Sequence, residues 1–188
     1  MEKLKIKLFL NFQSCLTAFG TVLAIVLLIK ALKAPTLLGV LSSIVYLVTY
    51  LALVFYAIVT YTKKDNIYFQ GVIYAYAALL GIQILQSGNF ISDYGLPQNI
   101  AIIINCFNII SFANVIKFSD FLDNRKIALS YIIIAVIIKL MIEIYLIISM
   151  FTFIKLIHIL MSLSIPLLGI TIIVAYLNRM KRLSDNKN

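Results

Sequence analysis

Lys139 and Glu143 stand four residues apart inside the stretch from Ile127 to Leu177, which has no polar break. Four residues is one helical turn, so an ammonium and a carboxylate share a face there. An ionisable group near the bilayer centre costs at least about 2.5–3.5 kcal/mol and marks a functional or structural device. Lys before Glu is the less favourable order for an isolated helix, which points to another partner for Glu143. If the chain turns near Phe151, His158 on the following helix reaches about the same depth as Glu143. Two readings follow: a self-neutralising pair that fixes helix register, or a ligand, ion or proton site built on Lys139, Glu143 and His158.

Amide side chains supply the rest of the polar chemistry. Asn105, Asn108 and Ser111 form a stripe on the fourth apolar run, and Gln83 and Gln86 lie on the third. Either set can line a hydrated cavity or hydrogen-bond between helices, at about 0.6–2 kcal/mol per bond. All seven residues, Lys139, Glu143, His158, Asn105, Asn108, Gln83 and Gln86, are ligand-binding candidates.

Several chemistries are excluded. One histidine rules out a His-Glu-x-x-His zinc site, and Cys15 and Cys106 form no paired motif for redox or metal binding. Asp120 and Asp123 resemble half of an acidic metal-binding motif, yet beside Arg125 and Lys126 they read as a solvated loop. No cofactor, metal or catalytic residue is expected.

The elements that carry these residues are membrane helices. Hydrophobic residues make up 63% of the chain and charged ones 12%, far from the roughly 25% charged of a soluble domain. The net charge of +9 comes from residues between apolar runs rather than along one face, which argues against nucleic acid as a partner. Apolar runs are read at about 8–29, 36–61, 67–87, 97–118, 127–149 and 152–177. The last two are separated because one helix from 127 to 177 would reach about 75 Å, more than twice the hydrocarbon thickness. Pro35 suits the start of the second helix, Gly88 the end of the third, and Pro166 kinks the sixth. The first run is longer than a signal-peptide core and is read as a retained span. The fold expected is an all-α, polytopic membrane bundle of about six helices in three hairpins, a single membrane domain over 1–188.

Charge placement orients it. With the N-terminus inside, the cytoplasmic side collects twelve of the fifteen assigned basic residues, and only Lys30, Lys33 and Lys155 fall opposite. Tyr61, Tyr68, Phe69, Phe118 and Phe121 are expected as interfacial anchors. The localisation read is a cell membrane, multi-pass, with both termini cytoplasmic; the wealth of Ile, Lys and Asn suggests a bacterial source by association. Small residues make close-packing notches, Gly20 and Ala24 on the first helix, and Gly71, Ala75, Ala77, Ala78 and Gly81 on the third. Tyr46 and Tyr50 share a face of the second, as core packing rather than ligand stacking.

The function expected is non-enzymatic: a small transporter or channel component, or a membrane binding subunit, with the bilayer, a membrane-protein partner or second copy, and a small-molecule ligand as its partners. The alternatives are a membrane-embedded enzyme acting on a lipid or peptide, and a membrane immunity or regulatory protein. In size, helix count and the Gly20–Ala24 spacing the chain resembles the small substrate-binding subunits of energy-coupling-factor vitamin transporters. That resemblance covers architecture only.

Overall fold

The computed structural model describes residues 2–58, 65–94, 98–149 and 156–185. Six helices run in the order α1 (Glu2–Lys33), α2 (Leu37–Ile58), α3 (Asp65–Tyr94), α4 (Gln98–Asp120), α5 (Arg125–Ser149) and α6 (Leu156–Asp185). All six are long and apolar enough to cross a membrane, so the all-α membrane bundle read from the sequence is the observed one. Connections of a few residues cannot retrace a span of some 30 Å, so successive helices are antiparallel and both chain ends lie at one end of the bundle.

Local chemistry sets the described turns. Thr36 caps α2, its Oγ1 accepting the Gly39 N–H at 3.2 Å while its carbonyl accepts Val40 N–H at 2.9 Å. Pro35 therefore precedes the cap instead of opening the helix. Asn124 begins α5 in the same way, its carbonyl accepting Ala128 N–H at 2.9 Å and its Oδ1 facing Ile127 N–H at 3.5 Å.

Three helices outrun their hydropathy. α3 continues through Gly88 to Tyr94, because one internal glycine costs a helix only about 1 kcal/mol and does not end it. α6 continues past Leu177 to Asp185, since Arg, Lys and Met are good helix formers wherever the hydrocarbon stops. α1 begins at Glu2 and keeps Lys30 and Lys33 in its last turn, where cations meet the negative end of the helix dipole. That gives the discordant lysines a local reason.

The helices close into a ring in chain order, α6 returning to α1, and α3 and α6 also touch across the middle. α6 is the most enclosed: 67% of its membrane window is buried, against 22% for α2. Small residues set the closest approaches. A Cβ on Gly20 would fall within the Tyr50 ring, and one on Gly169 would meet the Tyr76 hydroxyl at 2.7 Å, so α1 admits α2 and α6 admits α3. Ala24 is fully buried as well. The α3 notch is narrower than its sequence suggests, because Gly71 and Ala78 are exposed and nothing lies near Gly71. Tyr46 and Tyr50 pack edge to face, centroids 5.0 Å apart.

Phe69 and Phe118, expected at the lipid interface, are fully buried instead. They enclose Tyr176, whose hydroxyl donates to the Leu122 carbonyl at 2.9 Å. Tyr68 is exposed, Phe121 stacks on Tyr131, and Tyr61 lies outside the described residues.

Gly20→Leu should lower the melting temperature in detergent sharply, since its side chain would displace the Tyr50 ring and such overpacking costs about 1–3 kcal/mol. Gly71→Ala should leave it unchanged or raise it. Thermal unfolding followed by size exclusion checks both.

Candidate functional site

Polar side chains inside the bundle form three groups, and six of the seven candidates divide between two of them. The first is on α4 and α5. Lys139 Nζ sits 3.0 Å from Glu143 Oε1 and donates to Asn108 Oδ1 at 3.0 Å. All three residues are buried, at 2–4% exposure. By helical rise Lys139 and Glu143 lie about 15 and 9 Å from the Ser149 end of α5, well within the hydrocarbon. Ser111, one turn from Asn108, donates to the Ala135 carbonyl at 3.5 Å and ties the same two helices. Asn105 is half-buried one turn the other way. His158 belongs to α6, but its side chain lies outside the described residues. An ammonium held by a carboxylate and an amide is a closed ion pair, with its charge spent within the protein. A lipid-facing apolar groove of about 320 Å³, lined by Ile103, Phe107, Met141 and Tyr145 among others, runs beside it.

The second group is a pocket of about 250 Å³ between α1, α2, α3 and α6 at the end of the bundle away from the termini. Gln83 and Gln86 line it from α3, Lys30 from α1, Ser42, Ser43 and Tyr46 from α2, and Ser164 from α6. The Tyr46 hydroxyl donates to the Ser164 carbonyl at 2.9 Å, while the Ser42 and Ser43 hydroxyls donate to the Gly39 carbonyl at 3.0 and 2.9 Å. Gln83 Oε1 is buried with no hydrogen-bond partner among the described residues. Among the described residues of this lining Lys30 is the charged one, and none is a carboxylate. The structure thus keeps Gln83 and Gln86 apart from the Lys139 group.

Compared with known proteins, the chain matches no family model, no curated protein and no solved structure. The transporter-subunit resemblance therefore rests on size and helix count, and function has to be read from the site itself.

The third group lies toward the termini. Arg179, one of the twelve basic residues assigned from the sequence to the side of the termini, is 3% exposed. It reaches Asp123 Oδ1 at 3.7 Å and stands 6.0 Å over the Phe69 ring, latching α6 to the α4–α5 turn. Asn178 Nδ2 donates to Gln13 Oε1 between α6 and α1, both residues buried. Asp123 is thus a latch as well as a loop acid. Among the described residues no three of His, Cys, Asp and Glu come together, and Cys15 and Cys106 are exposed free thiols.

A double-mutant cycle tests the ion pair. Glu143→Leu alone leaves a buried ammonium and should destabilise the bundle by about 3–5 kcal/mol, whereas Lys139→Met with Glu143→Leu should recover most of that loss. Urea or thermal unfolding in micelles gives the coupling; loss of ligand retention in the stable double variant would make the pair part of a site.

Proposed function

We propose that this chain is a small non-enzymatic membrane component that holds a small polar solute, as a transporter or channel component or a membrane binding subunit. The observation that carries the reading is the pocket bounded by Lys30, Ser42, Tyr46, Gln83, Gln86 and Ser164. Its walls gather hydroxyls, amides and an ammonium, whereas the groove between α4 and α5 is lined by apolar residues. Gln83 Oε1 supports it further, because a buried acceptor needs a donor and a solute bearing N–H or O–H groups supplies one. A concave site with a few convergent polar groups between helices is the usual form of a small-molecule site.

The same reading places both termini in the cytoplasm, supported by the excess of Lys and Arg at that end. The pocket then faces outward, where an imported or sensed solute arrives.

Native mass spectrometry of protein extracted from its own membrane tests the solute. The expected result is a small molecule retained by the wild type and lost from Gln83→Leu, with the melting temperature preserved. A stoichiometric protein in its place would favour the regulatory or immunity reading. Orientation is tested separately in a background lacking Cys15 and Cys106. An impermeant thiol reagent applied to intact cells should label Thr36→Cys, and Asn124→Cys only after permeabilisation; the reverse pattern inverts the topology.

A further inference from the structure

Ser164, Thr171 and Asn178 recur every seven residues on α6, so they share one face and descend about 21 Å through the bundle. All three are buried, at 6%, 0% and 6% exposure. Each level meets polar groups from other helices. At the first, the Tyr46 hydroxyl of α2 holds the Ser164 carbonyl beside the pocket. At the second, the Tyr50 hydroxyl lies within polar reach of Thr171 and Tyr46, but it completes no well-aligned hydrogen bond among the described residues. The Tyr76 hydroxyl of α3 points at the bare backbone of Gly169, and it too has no partner among the described residues. Thr171 spends its own proton on the Leu167 carbonyl at 2.8 Å. At the third, Asn178 is joined to Gln13 of α1, with Thr17 buried one turn along that helix.

Such a stripe differs from ordinary helix-to-helix bonding at its middle. Tyr50 and Tyr76 are both at 0% exposure, and a buried phenol that donates to nothing forfeits its solvation without return. Two of them, converging between Gly20 and Gly169, call for an acceptor that the described residues do not provide. The described groups at the three levels are hydroxyls, amides and backbone, with no carboxylate, so the occupant is water or the hydroxyl and carbonyl end of an uncharged polar solute.

We infer that the pocket continues inward along α6 as a water-accessible polar seam, reaching a hydroxyl site formed by Tyr50, Tyr76 and Thr171 and closed toward the termini by the Gln13–Asn178 pair. The inference rests on the pocket being the solute site and deepens it: the solute occupies a cavity open to one face, with its inner end near mid-membrane. The Asn178–Gln13 bond is then the barrier that a translocating solute has to pass.

Cysteine accessibility in proteoliposomes tests this, with Cys15 and Cys106 replaced by alanine and a membrane-impermeant methanethiosulfonate applied from the pocket side. Thr171→Cys puts a thiol where the hydroxyl stands, and Ile172→Cys is the control, equally buried on α6 but off the seam. Because only a hydrated thiolate reacts, Thr171→Cys should label at least about tenfold faster than Ile172→Cys. Equal protection of the two overturns the seam. Ser42→Cys separates the two ideas: labelling there with Thr171→Cys protected leaves the pocket standing and removes the seam, while protection at both removes both. Tyr50→Phe and Tyr76→Phe give a second readout, since a dry, unpaired hydroxyl is a liability whose removal raises the melting temperature. Unchanged or lower melting temperatures are expected, and a rise in both variants overturns the inference.

Discussion

Hydrocarbon offers no hydrogen bonds, so every polar group at membrane depth has to find its partner within the protein or in a cavity that admits water. The backbone meets this demand by forming six helices. The side chains meet it in two ways. Lys139 closes on Glu143 and Asn108, and Arg179 closes on Asp123 under the Phe69 ring; these are finished contacts. Tyr50, Tyr76 and Gln83 are unfinished, and all three lie on the side of α6 that faces α1, α2 and α3.

This division gives the ring of helices two halves with different tasks. On the α4–α5 side the buried polarity is neutralised and the neighbouring groove is apolar, which suits a wall that faces lipid and fixes register. On the α1–α2–α3 side hydroxyls and amides face a pocket, and two glycines let aromatic rings cross the gap between helices. α6 belongs to both, and its enclosure explains why its polar residues recur on a heptad. Only an interval near seven keeps returning to the same neighbour as the helix descends.

Hydropathy and charge made the helix number, the hairpin order and the turn near Ser149 legible, because apolar length and loop chemistry are local properties. Rotation is not local. Lys139, Glu143 and Asn108 could be grouped by depth and spacing, yet nothing in the sequence separated them from Gln83 and Gln86, which face a different cavity. The burial of Arg179 was hidden for a related reason: a basic residue just past an apolar run reads only as a charge on one side of the membrane, and it is the return of the α4–α5 turn with Asp123 that encloses it. Phe69 and Phe118, expected as interfacial anchors, are buried for a similar reason. The Ser164–Thr171–Asn178 interval was present in the sequence and was the available signal for the seam. It is a weak signal, because serine and threonine are common at membrane depth and usually bond their own helix.

That the most enclosed helix follows the other five in the chain bears on biosynthesis. Chains are released from the ribosome N-terminus first, so five helices reach the bilayer before the one they surround. Until then Gln13 lacks Asn178 and Tyr46 lacks the Ser164 carbonyl, and the faces that will enclose α6 stand open to lipid or to one another. A nascent chain paused before Leu156 is therefore a set of hairpins with an open seam, a natural substrate for membrane chaperones and quality-control proteases. Arrival of α6 seals it in a single late step.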